Sequence, residues 1–123
     1  MLPHFLLPET EARQEGSGPH IEVKSPGTPL LLTLGITRSI QQADLDVSIW
    51  GSADGREWRQ VASFPRKSYC GTYSTVLDLE MHRDVRHLRV QWAMSRWGQG
   101  ADEPLFGFYL LSEAVQLQRA GAA

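Results

Sequence analysis

The sequence predicts a single all-β domain built as a two-sheet antiparallel β-sandwich, with a closed barrel as the alternative. Its 123 residues fit one domain and supply enough apolar surface to fold without a metal or a disulfide. About seven short segments show strand-like apolar patterns, and turn-forming residues separate them. No segment carries a sustained helical period, so sheet is the expected main structure.

The first 20 residues are predicted to be a lead-in segment that precedes the sandwich. Residues 9–20 are polar and contain glycine, which is typical of a linker. A helical turn over Pro8–Glu15 is compatible with Pro at its start. A short apolar group is also present: Leu2, Phe5, Leu6 and Leu7. We expect this group to pack on the domain's own sandwich or on that of a neighbouring protomer, and the alternative is a disordered leader.

The sandwich domain is assigned to residues 21–115, and the tail at 116–123 is expected to fray. Strands are predicted at Ile21–Lys24, Leu30–Ile36, Leu45–Trp50, Glu57–Phe64, Thr72–Leu79, Val85–Trp97 and Pro104–Val115. The run Leu30–Ile36 is apolar almost throughout, which indicates a strand covered on both faces. Alternation predicts these core residues: Leu32, Leu34, Val47, Ile49, Leu77, Leu88, Val90, Phe106 and Phe108.

A tight turn is predicted after the third of these strands. The segment Gly51–Gly55 ends in an Asp-Gly pair, which is a strong hairpin signal. Trp58 opens the next strand and is predicted to plug the core, as is Trp92 on a later strand. Trp50 points away from the apolar face of its strand, so we expect it at the surface.

Three stretches of the chain resemble the discoidin, or coagulation factor 5/8 type C, family. They are Val47–Trp58, which contains Gly-Ser-x-Asp-Gly followed by tryptophan, then Val85–Trp92, and the closing strand Phe106–Leu111. The resemblance covers roughly residues 28–114 and implies a jelly-roll sandwich of the galactose-binding-domain type. It also implies a ligand held at loop ends, although the terminal cysteine pair and the long loops of many family members are absent here.

Recognisable catalytic patterns are absent from the sequence, so we predict no enzyme activity, no cofactor and no metal. The four histidines lack the spacing with cysteine or with one another that a zinc site needs. Ser52 is not in a Gly-x-Ser-x-Gly elbow. Asp78 and Glu80 share one strand face, whereas glycosidase carboxylates face each other across a cleft.

A structural calcium ion is left open by the sequence. Its available oxygen donors are Asp44, Asp46, Asp54 and Asp102. The simpler interpretation is that Asp54 serves the turn and that Asp44 and Asp46 are solvated.

Charge and hydropathy narrow the range of partners. The net charge of −2 and the pI of about 6.0 argue against a nucleic-acid ligand, because phosphate contacts normally demand a basic surface. No apolar run is long enough to span a membrane. The N-terminus lacks the regions of a signal peptide, so a cytoplasmic location is expected, with secretion left open for a processed start.

The leading function hypothesis is a non-catalytic binding module for a carbohydrate or a protein partner. The competing hypothesis is a structural subunit, a homo-oligomer whose N-terminal segment docks on a neighbouring protomer. Aromatic side chains at strand and loop ends stack on sugar rings or anchor partners. The candidate contact residues are Trp50, Tyr69, Arg96, Trp97 and Asp102.

The single cysteine, Cys70, is predicted to be a partly buried small hydrophobe without a catalytic role. We expect Cys70→Ser to fold as the parent does, because no local pattern places a histidine beside the thiol. Circular dichroism and the thermal unfolding midpoint check this expectation. A large loss of stability in the variant would contradict it.

Overall fold

Nine strands form two antiparallel sheets in the computed structural model of the chain, which describes residues 4–23, 27–39, 43–67, 69–96 and 105–115. The strands are β1 (His4–Ala12), β2 (Gly16–Ser17), β3 (Ile21–Glu22), β4 (Leu30–Arg38), β5 (Ala43–Ser52), β6 (Arg59–Ser63), β7 (Gly71–Leu77), β8 (His87–Arg96) and β9 (Phe106–Ala114). A short 3₁₀ helix at Leu79–His82 connects β7 towards β8. No helix within these ranges is long and apolar enough to cross a membrane.

The strands divide between a four-stranded sheet, in the order β1-β9-β4-β7, and a five-stranded sheet, in the order β2-β8-β5-β6 with β3 also on β8. Their inner faces pack on each other around one apolar cluster. The predicted two-sheet antiparallel sandwich is therefore confirmed. The closed barrel is excluded for the described strands, because the two sheets do not join.

The core follows the predicted alternation. All nine residues assigned to it from the sequence are at most 2% exposed. Three inward residues of β9, which are Phe106, Phe108 and Leu110, are completely buried at the centre of the four-stranded sheet. Burying a large apolar side chain stabilises the fold by about 1.5–3 kcal/mol, so these positions contribute heavily to its stability.

The N-terminal segment belongs to the sandwich, which corrects the prediction of a linker at residues 9–20 and of a helical turn at Pro8–Glu15. β1 pairs antiparallel with β9 of the same chain, and β2 pairs with β8. The backbone groups of β9 that β1 satisfies would otherwise form an open edge. Strand pairing therefore prevails over a helix too short to be stable by itself.

A bulge explains how β1 buries two adjacent leucines. Neighbouring residues of a regular strand face opposite sides, yet Leu6 and Leu7 are only 4% and 3% exposed. The register with β9 shifts between Phe5 and Leu7, which turns both leucines inward and leaves Phe5 outside. The expectation that this apolar group packs on the domain's own sandwich is confirmed for the residues from Phe5 onward, and Leu2 lies outside the described residues.

The structural role of β1 can be measured with a pair of variants. We expect Leu7→Ala to lower the free energy of unfolding by about 2–5 kcal/mol, because it opens a cavity in the core. Phe5→Ala, on the same strand but with a side chain that is 52% exposed, should cost about 1 kcal/mol or less. Urea denaturation at low protein concentration measures both. Equal effects would mean that β1 does not seal the core.

Candidate ligand-binding face

The hairpin between β5 and β6 is held by the buried hydroxyl of Ser52, which is fully inaccessible to solvent. Its Oγ accepts the backbone amides of Asp54 and Gly55, at 3.2 and 2.8 Å, and donates to Oδ1 of Asp54 at 3.0 Å. That Oδ1 also accepts the amides of Arg56 and Glu57 at 2.8 and 3.0 Å. Gly55 has φ of 80°, a conformation that residues with a Cβ rarely adopt.

These hydrogen bonds lower the pKa of Asp54 below its ordinary value. The largest cause is the backbone amide of Arg56, followed by that of Glu57 and by the Ser52 hydroxyl. The interpretation that Asp54 serves the turn is confirmed. Its carboxylate is therefore ionised at neutral pH and is committed to holding the loop.

Trp58 lies on the outer face of the five-stranded sheet, and its predicted role as a core plug is wrong. Phe64 is buried. In a regular strand, Trp58, six residues earlier, would face the same side as Phe64 and would therefore point inward. The register of β6 with β5 shifts instead, so that Ala62 pairs with Ile49 and Gln60 pairs with Trp50. The extra residue reverses the alternation. Trp58 therefore shares the outer face with Gln60 and Trp50.

Basic and aromatic side chains surround the indole of Trp58. The guanidinium carbon of Arg89 lies 4.5 Å from the centre of the ring, within the range of a cation–π interaction. The His20 ring meets Trp58 edge-on at 5.2 Å and meets His87 edge-on at 4.4 Å. Nδ1 of His87 is buried without a hydrogen-bond partner among the described residues.

Trp50 extends this aromatic face along the sheet. It pairs with Arg89 of β8 and with Gln60 of β6, and directly paired residues of a sheet project from the same face. Its Nε1 donates to Oγ of Ser48 at 3.0 Å. We call the set Trp50, Trp58, Arg89, His20 and His87 the aromatic face.

A cleft of about 260 Å³ opens beside Trp58, and Ala53, Asp54, Glu57, Trp58, Arg59 and Asp84 line it. The guanidinium of Arg59 donates two hydrogen bonds to the Asp84 carboxylate, from Nη2 to Oδ1 at 2.7 Å and from Nη1 to Oδ2 at 2.9 Å. This hydrogen-bonded pair lowers the pKa of Asp84 from 3.8 to about 2. Three carboxylates and one guanidinium give the cleft lining a formal charge of −3 + 1 = −2.

The residues predicted to contact a ligand lie in different parts of the fold. Trp50 is on the aromatic face, whereas Tyr69 precedes β7 of the other sheet, is 75% exposed and accepts the Tyr73 hydroxyl through its carbonyl oxygen. Arg96 is the last residue of β8 and pairs with Ala43. Trp97 and Asp102 are outside the described residues.

Sequence reasoning missed the partners of Trp58. His20 comes from the segment between β2 and β3, whereas His87 and Arg89 come from β8, and no spacing along the chain links them. The one available signal was alternation on β8, which turns Arg89 away from Leu88 and Val90. Trp92 does face inward as predicted, where its ring packs edge-on against Phe108 at 5.4 Å.

Two further expectations need correction. Asp44 is 9% exposed rather than solvated, and its carboxylate lies 3.9 Å from Nη1 of Arg66. Cys70 is exposed rather than partly buried, with its Sγ 3.5 Å from Oγ of Ser39. Across the described ranges, no three His, Cys, Asp or Glu side chains converge into a group that could hold a metal ion.

Comparison with protein-family models, with curated proteins and with solved structures found no match to this chain. The candidate site therefore has to be interpreted from its own geometry.

The lowered pKa of Asp84 in the cleft predicts how the stability of the fold depends on pH. A carboxyl whose pKa is lowered on folding stabilises the fold above its unfolded pKa and loses that contribution as pH falls through the folded value. We therefore expect the thermal midpoint to fall between about pH 4 and pH 2, the interval of the Asp84 shift. The fall should be shallower in Asp84→Asn, as followed by circular dichroism.

The matched control is Glu9→Gln, which alters an exposed carboxylate on β1, away from the hairpin. Its acid profile should run parallel to that of the parent protein. A parallel profile for Asp84→Asn as well would contradict the assignment.

Proposed function

We propose that the chain is a non-catalytic binding module that recognises a carbohydrate at the cleft beside Trp58. The observation that carries the proposal is the Trp58 indole, half-buried on an outer sheet face and held in place by Arg89 and His20. A pyranose ring presents apolar C–H groups on one side, and these pack on an aromatic ring. Because the ring is already positioned, little side-chain entropy is lost on binding.

The polar groups of the cleft suit the hydroxyls of a sugar. Glu57 offers carboxylate oxygens as acceptors, and Asp54 and Asp84 offer the lone pairs that their existing hydrogen bonds leave over, while Arg59 offers the N–H groups that do not bond Asp84. The volume of about 260 Å³ is just below the ~300 Å³ at which pockets for drug-sized ligands begin. A single sugar ring is therefore the unit that fits.

The negative formal charge of the cleft lining favours neutral sugars over acidic ones. A net charge of −2 repels a uronate, a sulfate or a sialic acid at this point. We therefore infer that the bound ring is uncharged, with its hydroxyls donating to the carboxylates.

The same carboxylates support a binding role over catalysis. A general acid in glycoside hydrolysis needs a raised pKa so that it carries a proton near neutral pH. The pKa values of Asp54 and Asp84 are both lowered, by backbone amides in one case and by Arg59 in the other. Their existing hydrogen bonds instead give the cleft fixed acceptors.

The strand order supports the jelly-roll winding that the family resemblance implies. We count β2 and β3 as one position and number the resulting eight positions 1 to 8 in chain order. The four-stranded sheet then has the order 1-8-3-6 and the other sheet has the order 2-7-4-5. Positions 1 and 8, 2 and 7, 3 and 6, and 4 and 5 are then neighbours. This is the pattern of one long antiparallel ribbon rolled into two sheets.

Affinity electrophoresis through gels of neutral polysaccharides (mannan, galactan, xylan and glucan) tests the proposal. We expect retardation by at least one of them, and a loss of affinity of tenfold or more in Trp58→Ala. A tenfold loss corresponds to about 1.4 kcal/mol, which is within the range of an aromatic contact.

The control is Tyr69→Ala, which removes a highly exposed aromatic ring from the other sheet's side and should leave the retardation unchanged. Pectate and heparin serve as acidic probes. Retardation by these acidic polymers alone, or equal effects of Trp58→Ala and Tyr69→Ala, would contradict the proposal.

A further inference from the structure

The outer face of the four-stranded sheet is largely apolar, unlike the aromatic face on the other side of the molecule. Since Phe106, Phe108 and Leu110 point inward, Tyr109 and Leu111 point outward. Across the sheet, Leu111 of β9 pairs with Thr33 of β4, which pairs with Ser74 of β7. In the next outward row, Glu113 pairs with Leu31, which pairs with Val76. We call the set Phe5, Leu31, Thr33, Val76, Tyr109 and Leu111 the apolar face.

Large side chains of this face are open to solvent at both sides of the sheet. Phe5 on β1 is 52% exposed and Val76 on β7 is 45% exposed. Phe5 packs edge-on against Tyr109 at a centroid distance of 6.0 Å. The Tyr109 ring in turn lies over Gly35, where a Cβ has no room, so this ring covers the backbone of β4 and adds to the apolar surface.

β4 is the strand that most clearly lacks a cover on one side. Its inward residues Leu32 and Leu34 are completely buried, whereas Leu31 and Thr33 on the outer side are only half-buried. A strand with apolar residues on both sides is typical of a sheet covered on both faces. The described chain covers one of them.

The edge of the same sheet carries none of the usual protection against pairing. β7 reads Gly-Thr-Tyr-Ser-Thr-Val-Leu, without a charge or a proline, and it pairs with β4 without a register shift. Natural edge strands usually carry lysine, proline or a bulge that prevents association. An open edge favours strand pairing rather than face packing, so β7 is the competing contact that the test has to separate from the apolar face.

We propose that the apolar face is a self-association surface on which a second copy of this chain packs, face to face, about a twofold axis. A twofold axis brings each patch against itself, so an uncharged patch is self-complementary whereas a charged one repels its copy. None of the six side chains carries a charge. Charged residues stand at the two ends of the face: Glu113 lies at one end of the paired rows, and Glu11 and Arg38, which form an ion pair at 2.7 Å, flank Gly107 at the other.

The area of the face sets the expected strength of the dimer. Seven paired residues span about 24 Å along the strands, and four strands span about 19 Å across. Roughly 450 Å² is thus covered on each copy, or roughly 900 Å² in total. Stable interfaces bury about 1,200–2,000 Å² and weaker specific ones less. A weak, reversible dimer is therefore the expected species.

Sedimentation equilibrium of the full chain, from low micromolar to near-millimolar concentration, tests this proposal. We expect a monomer–dimer equilibrium. Thr33→Lys, at the centre of the face, and Val76→Lys, at its side, should each weaken the dimer tenfold or more. Each substitution would bury one charge from each copy in the apolar interface.

The matched control is Gln91→Lys, an outward position of β8 on the other sheet, which should leave the equilibrium unchanged. Far-ultraviolet circular dichroism and the thermal midpoint establish that all three variants fold. A chain that stays monomeric at every concentration would overturn the proposal. So would a dimer that both face variants leave intact, since that outcome assigns the contact to an edge or to the aromatic face.

Discussion

The hydroxyl of Ser52 is the contact on which the hairpin between β5 and β6, and the cleft beside it, depend. It is buried at the end of β5, where it holds two amides and the carboxylate of a hairpin that must turn within a few residues. A buried hydroxyl that makes three such bonds is costly to remove, because each partner would be left unsatisfied. The Ser52 hydroxyl, the Asp54 carboxylate and the left-handed conformation of Gly55 together set the path of the chain from β5 to Trp58.

Electrostatics divide the surroundings of Trp58 into two sides. His20, His87 and Arg89 pack on the side of β8, and the carboxylates of the hairpin and of Asp84 line the cleft. The cation stacked on the indole and the Arg59–Asp84 pair both reduce the freedom of their side chains. A ligand of the proposed kind would therefore meet a preformed surface, with little reorganisation of these side chains.

The two outer faces of the sandwich have different chemistry and therefore suit different partners. One presents indole, guanidinium and carboxylate groups, which match a small polar ligand. The other presents leucine, valine and threonine side chains and the rings of Phe5 and Tyr109, which meet edge-on, and these match an extended apolar surface. Because the sheets lie back to back, a second copy on the apolar face would leave the cleft beside Trp58 open on each copy, and two linked sites of the proposed kind would bind a polymer more tightly than one.

The sequence by itself determined the sandwich and its core. Alternation on β5, β8 and β9 was enough to identify residues such as Ile49, Val90 and Phe108, because burial on one face leaves a period of two in the chain. The Asp-Gly turn and the outward side of Trp50 followed from the same local rules. These features depend on neighbours in sequence, and a single chain records them.

Only the tertiary structure decided which way the chain faces after a bulge and which distant residues meet. One extra residue in β6 reversed the side of Trp58, and another irregularity turned both Leu6 and Leu7 inward. A bulge leaves no fixed mark in composition, since it forms where partner strands differ in length and twist. His20 reached Trp58 only because β2 and β3 both pair with β8, and such long-range pairing is set by the packing of the whole sandwich.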